Sequence, residues 1–395
     1  MAQNVTRRRA IAKISGLGFS AFSRKWEATA PALAADAAIA AVEDAGLVKS
    51  DIDGLFVNRS SAAPPDLLTL RLQDDLGMGD LRLLNLFASE AVSALQMLHY
   101  ASLAVAAGTV DHVLCVFADT PIMPAQSGGE AYSDTLGLMR LPGWEDRHGL
   151  FGAVGSYGLA MQRYIDRYGA TAEQFGAVAV ATRDWATRNP LAMLKTPMTI
   201  DDYLASRLIA APIRMFDCAF PINGGAAIVV SAADTEAGGD TGSAFVRGLG
   251  QGHRPYSPFG GHDNETETMG HLAAREAYRM AGIGPDDIAH AQIYDAFTYT
   301  TVRGLEDYGF CGRGEAAAFA ADGHIAPGGR LPTNTGGGQL SGYYLQGMTQ
   351  LSEAVLQVTG RAEGRQQRNN DWVLVTNQGG RMDYHAAAIL SEHAA

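Results

Sequence analysis

Apolar residues recur at helical spacing through an Ala-rich run that stops at Gly46; a short polar turn and an apolar strand closing at Val57 come next. The stretch from Met269 to Ile293 repeats this pattern at one constant offset: Ala41 falls on Ala277, Ala45-Gly46 on Ala281-Gly282, Asp51-Ile52 on Asp287-Ile288, and Val57 on Ile293. A duplicated unit in which helix leads into strand is the rhythm of a layered α/β fold. The second parts of the copies match less closely. A helix from about Ser93 ends at Gly108 before the strand Val113 to Phe117, and a helix from about Leu345 ends at Gly360 before Val373 to Thr376. Aligning those two glycines lays Ala91 on Tyr343. Two equivalent helix starts are thus expected to approach the centre, where free backbone N–H groups and helix dipoles favour developing negative charge.

Between the copies lies Pro121 to Phe216, rich in Gly, Trp, Tyr and Met, with helical stretches around Tyr157 to Tyr168 and Ala170 to Arg188. It has no counterpart in the second copy, so a lid or a substrate-shaping loop domain is expected there.

With 395 residues, 47% of them hydrophobic, the chain can bury a large core and should hold two domains or one doubled unit at roughly 100–200 residues per domain. Apolar stretches such as Leu103 to Ala107 and Val113 to Ala118 fall far short of the ~18 residues that span a bilayer. A membrane span is not expected. Arg7, Arg8 and Arg9 superficially suggest an export signal, but Lys13 interrupts the next segment and no clean apolar region or cleavage site appears. The three cysteines, Cys115, Cys218 and Cys311, have neither paired nor metal-binding spacing, which points to a reducing, cytoplasmic setting and to no bound metal. A net charge of −12 argues against a general nucleic-acid surface.

The chemistry-bearing residues fall in the second copy. Tyr294-Asp295-Ala296-Phe297 leads into Glu306-Asp307, Gly309-Phe310-Cys311, Gly314-Glu315, Asp322-Gly323, Pro327-Gly328-Gly329, Leu331-Pro332 and Asn334 to Gly338. Asp217-Cys218-Ala219 and Gly224 to Ala227 precede a strand ending at Ser231. With the duplication and the insertion, these strings resemble the thiolase superfamily over nearly the whole chain, in the branch of sterol-carrier-protein thiolases and lipid-transfer proteins. The resemblance implies a thiolase fold: duplicated βαβαβαββ units in a five-layered αβαβα arrangement, residues 1–240 forming the first half with a loop domain at about 121–216, and 241–395 the second.

The catalytic positions of that family are altered. Where it carries a nucleophilic Cys, in a pattern like Cys-Ala-Ser-Gly, this chain has Ala91-Val92-Ser93-Ala94; its Asn or His is Tyr294, its Gly-His-Pro is Gly342-Tyr343-Tyr344, and its late Cys-x-Gly-Gly is Asn377-Gln378-Gly379-Gly380. Acyl transfer needs a thiolate and an adjacent base, so thiolase activity is not expected.

Tyrosines offer other chemistry. A phenol of pKa about 10 is a poor base in water, yet in a low-dielectric pocket it holds a hydroxyl or carbonyl and relays a proton. The tyrosine pattern resembles the steroid side-chain-cleaving aldolases of the superfamily. That resemblance implies retro-aldol cleavage of a β-hydroxyacyl-CoA bearing a bulky steroid-like group, releasing a ketone or aldehyde and a shorter acyl-CoA, with no cofactor besides the substrate's own CoA. It also implies a homodimer and a separately encoded partner carrying an OB-fold and a zinc ribbon. The proposed pair is Tyr294 with Tyr344; the repeat alignment by itself favours Tyr343. A silent homologue that binds acyl-CoA or lipid, or scaffolds a partner, is the alternative, and tyrosines that merely fill the core are the structural one.

Asp295, His271, Gly337, Gly338 and Asn377 are further candidates for substrate contacts, Asp295 standing equally well as a helix N-cap. The run Gly336 to Gly338 suggests close approach of backbone to a thioester arm. Arg254, Arg313, Arg330 and Arg381 are candidates for CoA phosphates, and His253 and His262 flank a loop suited to the substrate entrance. Gly16-Leu17-Gly18 superficially fits a dinucleotide fingerprint, but the polar segment after it opens no helix directly.

Overall fold

The computed structural model describes residues 9–60, 65–124, 148, 152–254 and 268–395. Arg7 and Arg8, His262 and the segment 125–147 of the insertion lie outside the described residues, as does the side chain of Arg381. Strands β1 (Ala12–Phe19), β2 (Gly54–Asn58), β3 (Leu83–Phe87), β4 (His112–Asp119), β7 (Gly224–Ser231), β8 (Ala244–His253), β9 (His290–Gln292), β10 (Val373–Gly379) and β11 (Tyr384–Ser391) join in the order β3-β2-β4-β7-β1-β8-β11-β10-β9. Two short strands, β5 (Leu208–Ala210) and β6 (Ile213–Arg214), pair separately within the insertion.

The order reads the same from both ends. β1 and β8 meet antiparallel over three residue pairs, Ala12 with Val246 to Ile14 with Ala244; outward from them each half runs through an antiparallel strand into a parallel pair. In the second half the last strand shrinks to one parallel bridge between Ala291 and Thr333. Pro332 lacks the N–H a ladder needs, and Asn334 turns into the left-handed region at φ 53°, so the extended segment cannot lengthen.

Alternation along the strands sorts side chains into layers. Val113, Cys115 and Phe117 of β4 face a central core with the helices Ser93–Ala106 and Met348–Val358, while Leu114 and Val116 face an outer core with the helix Ala30–Asp44. The third core lies outside the second half, where the helices Gly270–Ala281 and Thr298–Asp307 pack together with the inserted helices Gly152–Tyr168 and Ala172–Thr187. Three helical layers around two half-sheets make the αβαβα arrangement. The helix Met348–Val358 is buried on every face, which explains its apolar and small-polar composition.

Gly16 and Gly18 serve this packing. A Cβ there would stand 2.2 Å from the Ala41 carbonyl and 2.3 Å from that of Ala37, so their hydrogen side chains let the helix Ala30–Asp44 lie directly on β1. Gly248 and Gly250 do the same for the helix Gly270–Ala281 in the second half.

Candidate functional site

The starts of the two central helices converge as expected. A Cβ on Gly347 would lie 2.1 Å from the Ala91 carbonyl oxygen and 2.2 Å from Asn377 Nδ2, placing three positions of the altered motifs in one spot. The pairing of Ala91 with Tyr343 is corrected. The first central helix has 14 residues and the second 11, so an alignment fixed at their terminal glycines slips at their starts. The conformational counterparts are Glu90 and Gln346, which precede the two helices with φ of 52° and 47°.

Tyr294 lies between β9 and the helix Thr298–Asp307. Its backbone N–H donates to Thr376 Oγ1 at 3.2 Å and its carbonyl accepts from Thr300 Oγ1 at 3.0 Å, fixing a buried ring. Tyr344 sits in an extended segment bridged to Pro221, with Thr349 Oγ1 tying the Tyr343 carbonyl to the Leu345 N–H at 3.0 and 2.9 Å. The two phenols come close enough to shift each other's ionisation.

Successive side chains in extended backbone point to opposite sides, and Tyr343, at φ −149° and ψ 145°, points away from this pair. Its hydroxyl meets Ser352 Oγ at 2.9 Å, and its ring packs against Phe22 at 4.8 Å and Phe19 at 5.9 Å. Tyr343 is a core residue of the central layer, so the geometry favours Tyr344 over the repeat-based choice.

Burial pushes both site phenols above the ordinary tyrosine value, and the Glu90 carboxylate nearby pushes them further. A third phenol, Tyr157 from the insertion, is raised by burial and by Glu90 and Tyr344; its ring lies 4.6 Å from Phe297. The first half and its insertion thus contribute Glu90 and Tyr157 to a pair carried by the second half. Sequence reasoning missed both: Glu90 is next to the emptied nucleophile position, a signal that could have found it, whereas nothing marks Tyr157 among its helical neighbours.

The remaining candidates fall in different places. Asp295 is fully buried and does not cap the following helix, whose N-cap is Phe297. Its Oδ1 accepts from the Gln339 N–H and the Gln350 amide, both at 2.8 Å, so it holds the turn Gly338–Gly342 that leads to Tyr344. Burial raises its carboxyl to about 8. Gly337 and Gly338, at φ 89° and 53°, do not open toward a thioester arm; Cβ atoms there would strike Ala186 at 2.6 Å and the Asp295 carboxylate at 1.9 Å. Their freedom lets the protein pack against itself.

The insertion grips the same turn, through Arg183 Nε to Ser341 Oγ at 2.9 Å, Met193 N–H to the Gly342 carbonyl at 2.8 Å, and Asn189 Nδ2 to the Gly336 carbonyl at 2.8 Å. Asn377 is buried, with Nδ2 donating to the Gly347 carbonyl at 3.2 Å. His271 bonds the Thr268 carbonyl at 2.6 Å at the entry of its own helix. Arg313 pairs with Asp307, and Arg330 stacks over Phe319 at 4.9 Å, so both phosphate candidates are already engaged.

Among the described residues, nothing at this centre resembles a thiolate site. Burial pushes Cys218 and Cys311 up to about 12 and Cys115 higher still, and Ala91 offers no nucleophile.

Residues 256–392 match the model of the thiolase C-terminal domain-like family. Over 358 residues the chain is 34% identical to the steroid side-chain-cleaving aldolase of Thermomonospora curvata, covering 88% of this chain and 90% of that protein. It is equally 34% identical over 360 residues to the 17-hydroxy-3-oxo-4-pregnene-20-carboxyl-CoA lyase of Mycobacterium tuberculosis, covering 88% and 92%. The solved structure of an Ltp2-ChsH2(DUF35) aldolase superposes with a TM-score of 0.86 at 32% identity, covering 96% of this chain and 97% of that one. With its pseudo-symmetric layers and its emptied nucleophile position, this chain belongs to the thiolase superfamily, in the branch of the side-chain-cleaving aldolases.

Proposed function

We propose that the chain is a carbon–carbon lyase that performs retro-aldol cleavage of a β-hydroxyacyl-CoA whose β-carbon belongs to a bulky, steroid-like ring system. The observation that carries this reading is the close approach of two phenols, Tyr294 and Tyr344, at positions where a thiolase needs other groups. The names of the aldolase and lyase relatives support the same reaction and substrate class.

Cleavage is redox-neutral. The β-hydroxyl loses its proton and becomes a carbonyl, the Cα–Cβ electron pair passes into the thioester as an enolate, and Cα then takes up a proton. The thioester carbonyl supplies the electron sink, so acid–base groups of the chain suffice and no separate cofactor is assigned. In this reading Tyr344 faces the hydroxyl, and Tyr294 returns a proton to Cα. The paired helix starts near Ala91 and Gly347 provide a positive environment for the thioester oxygen as charge gathers there.

The functional unit is a homodimer assembled with a separately encoded OB-fold and zinc-ribbon partner, working in the cytoplasm. The named ChsH2(DUF35) component of the structural relative supports a partnered assembly. Among the described residues, no helix is long and apolar enough to cross a membrane.

The test is incubation of the chain, co-expressed with its partner, with a 17-hydroxysteroid carboxyl-CoA thioester and mass-spectrometric detection of the ring ketone and the shorter acyl-CoA. Saturable binding with no product would replace the lyase by a silent acyl-CoA-binding homologue.

A further inference from the structure

Two cations border the tyrosine-bearing segments without a carboxylate to balance them. The stretch Phe216 to Pro221, at the end of the insertion, is fastened to both segments: the Ala219 N–H donates to the Ala296 carbonyl and the Phe220 N–H to the Gln339 carbonyl, each at 2.9 Å, and Pro221 is bridged to Tyr344. Two rings of this stretch carry a guanidinium. Arg183, from the insertion helix Ala172–Thr187, lies over Phe216 at 5.5 Å, and Arg24, from the loop after β1, lies over Phe220 at 4.0 Å. Backbone hydrogen bonds exchanged by Ser23 and Asn223, at 3.0 and 2.8 Å, tie that loop to the chain just beyond Pro221.

Arg183 is only 6% exposed. Its Nε donates to Ser341 Oγ at 2.9 Å and its Nη1 to the Thr196 carbonyl at 3.0 Å, so both acceptors are neutral. Burial lowers its pKa, and no carboxylate offsets that effect. The buried Arg303 and Arg365 are treated differently, meeting Glu306 at 2.6 Å and Glu353 at 2.7 Å. A guanidinium withdrawn from water without a counter-ion is costly to keep, and the Nη2 of Arg183 has no hydrogen bond among the described residues. Arg24, exposed together with Lys25 and Trp26, likewise meets no carboxylate among the described residues. Stacking holds a guanidinium by its face and leaves its N–H edge open, which suits the bidentate grip of a phosphate. In a chain of net charge −12, a ligand bearing several phosphates needs such a local cation pair to be held at all.

We propose that Arg183 and Arg24 are the phosphate contacts for the CoA part of the substrate, each gripping one phosphate group while the thioester end passes the stretch Phe216 to Pro221 to reach the tyrosines. This rests on the acyl-CoA reading above and names the subsite for its polar end. The four residues from Phe216 to Phe220 span at most about 14 Å, so two long side chains standing on those rings reach neighbouring phosphates of one ligand. One arginine comes from the first half and the other from the insertion, and neither is marked by a motif.

The chain, purified with its partner protein, is assayed on the 17-hydroxysteroid carboxyl-CoA thioester and on the matching pantetheine thioester, which has the same reacting carbons and no phosphate. On the CoA thioester Arg183→Gln should raise KM by about 10–100-fold and Arg24→Gln by about 3–10-fold, while KM for the pantetheine thioester stays within about twofold of wild type. The ratio of kcat/KM on the two thioesters is internal to each preparation, so it reads correctly even if Arg183→Gln loosens the turn before Tyr344. An arginine that merely braces the fold would lower both values alike. An unchanged ratio in either variant overturns the two-arginine site. A wild-type complex that binds the CoA thioester without cleaving it refutes the aldolase reading instead. Calorimetry with the two thioesters then decides the phosphate contacts: affinity lost by both variants for the CoA thioester alone supports them, and equal changes on both thioesters overturn them.

Discussion

Tyr294 and Tyr344 come close enough to shift each other's ionisation, although the rings are carried by segments some fifty residues apart that are fixed by independent hydrogen bonds to Thr376, Thr300 and Thr349. Two phenols that serve one proton path, as proposed, would act as a unit. Tyr294→Phe and Tyr344→Phe should each lower kcat by about 10²–10⁴-fold, and the double variant should be little worse than the poorer single one. Steady-state kinetics of the three variants checks this. Multiplying single losses would mean separate tasks, and near-normal rates in both would remove the pair from the mechanism.

Tyr343 offers the contrasting case. Its hydroxyl bonds the Ser352 side chain in the central layer at 2.9 Å, and its ring is packed on Phe19 and Phe22. Tyr343→Phe should therefore cost about 0.5–1.5 kcal/mol of stability, the worth of one neutral hydrogen bond, and leave turnover within a few-fold of wild type. Urea denaturation together with the cleavage assay separates the two effects. A loss of activity comparable to that of Tyr344→Phe, with stability retained, would contradict the assignment of the neighbouring tyrosines.

The duplication was legible because both copies keep the same helix–turn–strand pattern, with 3-10 turns at Lys49–Asp51 and Pro285–Asp287 in corresponding places. That Tyr294 and Tyr344 come near each other was legible because both stand at positions matched to family motifs. Spacing could not reveal which way a side chain points: Tyr343 and Tyr344 are neighbours, and only the extended backbone sends one into the core and the other to Tyr294. The glycine run misled for a similar reason, since a Cβ-free backbone admits a ligand or another part of the protein equally well, and in this chain Asp295 and Ala186 occupy that space. Glu90 and Tyr157 reach the site by tertiary packing alone, one from the first half and one from the insertion.

Restoring the missing nucleophile should not restore thiolase chemistry. A cysteine placed at Ala91 would stand next to Glu90, whose negative charge disfavours a thiolate, and the tyrosines around it are neutral acids. Ala91→Cys should form no acetyl-enzyme when incubated with acetyl-CoA, as read by intact-protein mass spectrometry. Stable acylation would show that an adequate base remains at the centre of the molecule.

Asp295 links the turn before Tyr344 to the pH dependence of folding. Its carboxyl is raised from 3.8 to about 8, chiefly by burial, with the N–H groups of Gln339 and Leu340 and the Gln350 amide offsetting part of that rise. A carboxyl raised by folding binds its proton more tightly in the native state than in the unfolded one. Its stabilising contribution is therefore complete below about pH 4 and is lost as pH rises toward about 8. Asp295→Asn keeps an acceptor oxygen for Gln339 and Gln350 and cannot ionise, so it should abolish this component while other groups titrate as before. The melting temperature of the wild type, taken relative to that of Asp295→Asn, should fall steadily between about pH 4 and 8 and level off above that range. A difference that stays constant across the range would mean that Asp295 titrates alike in both states, and that the turn carrying Tyr344 is held by a carboxylate rather than by a carboxylic acid.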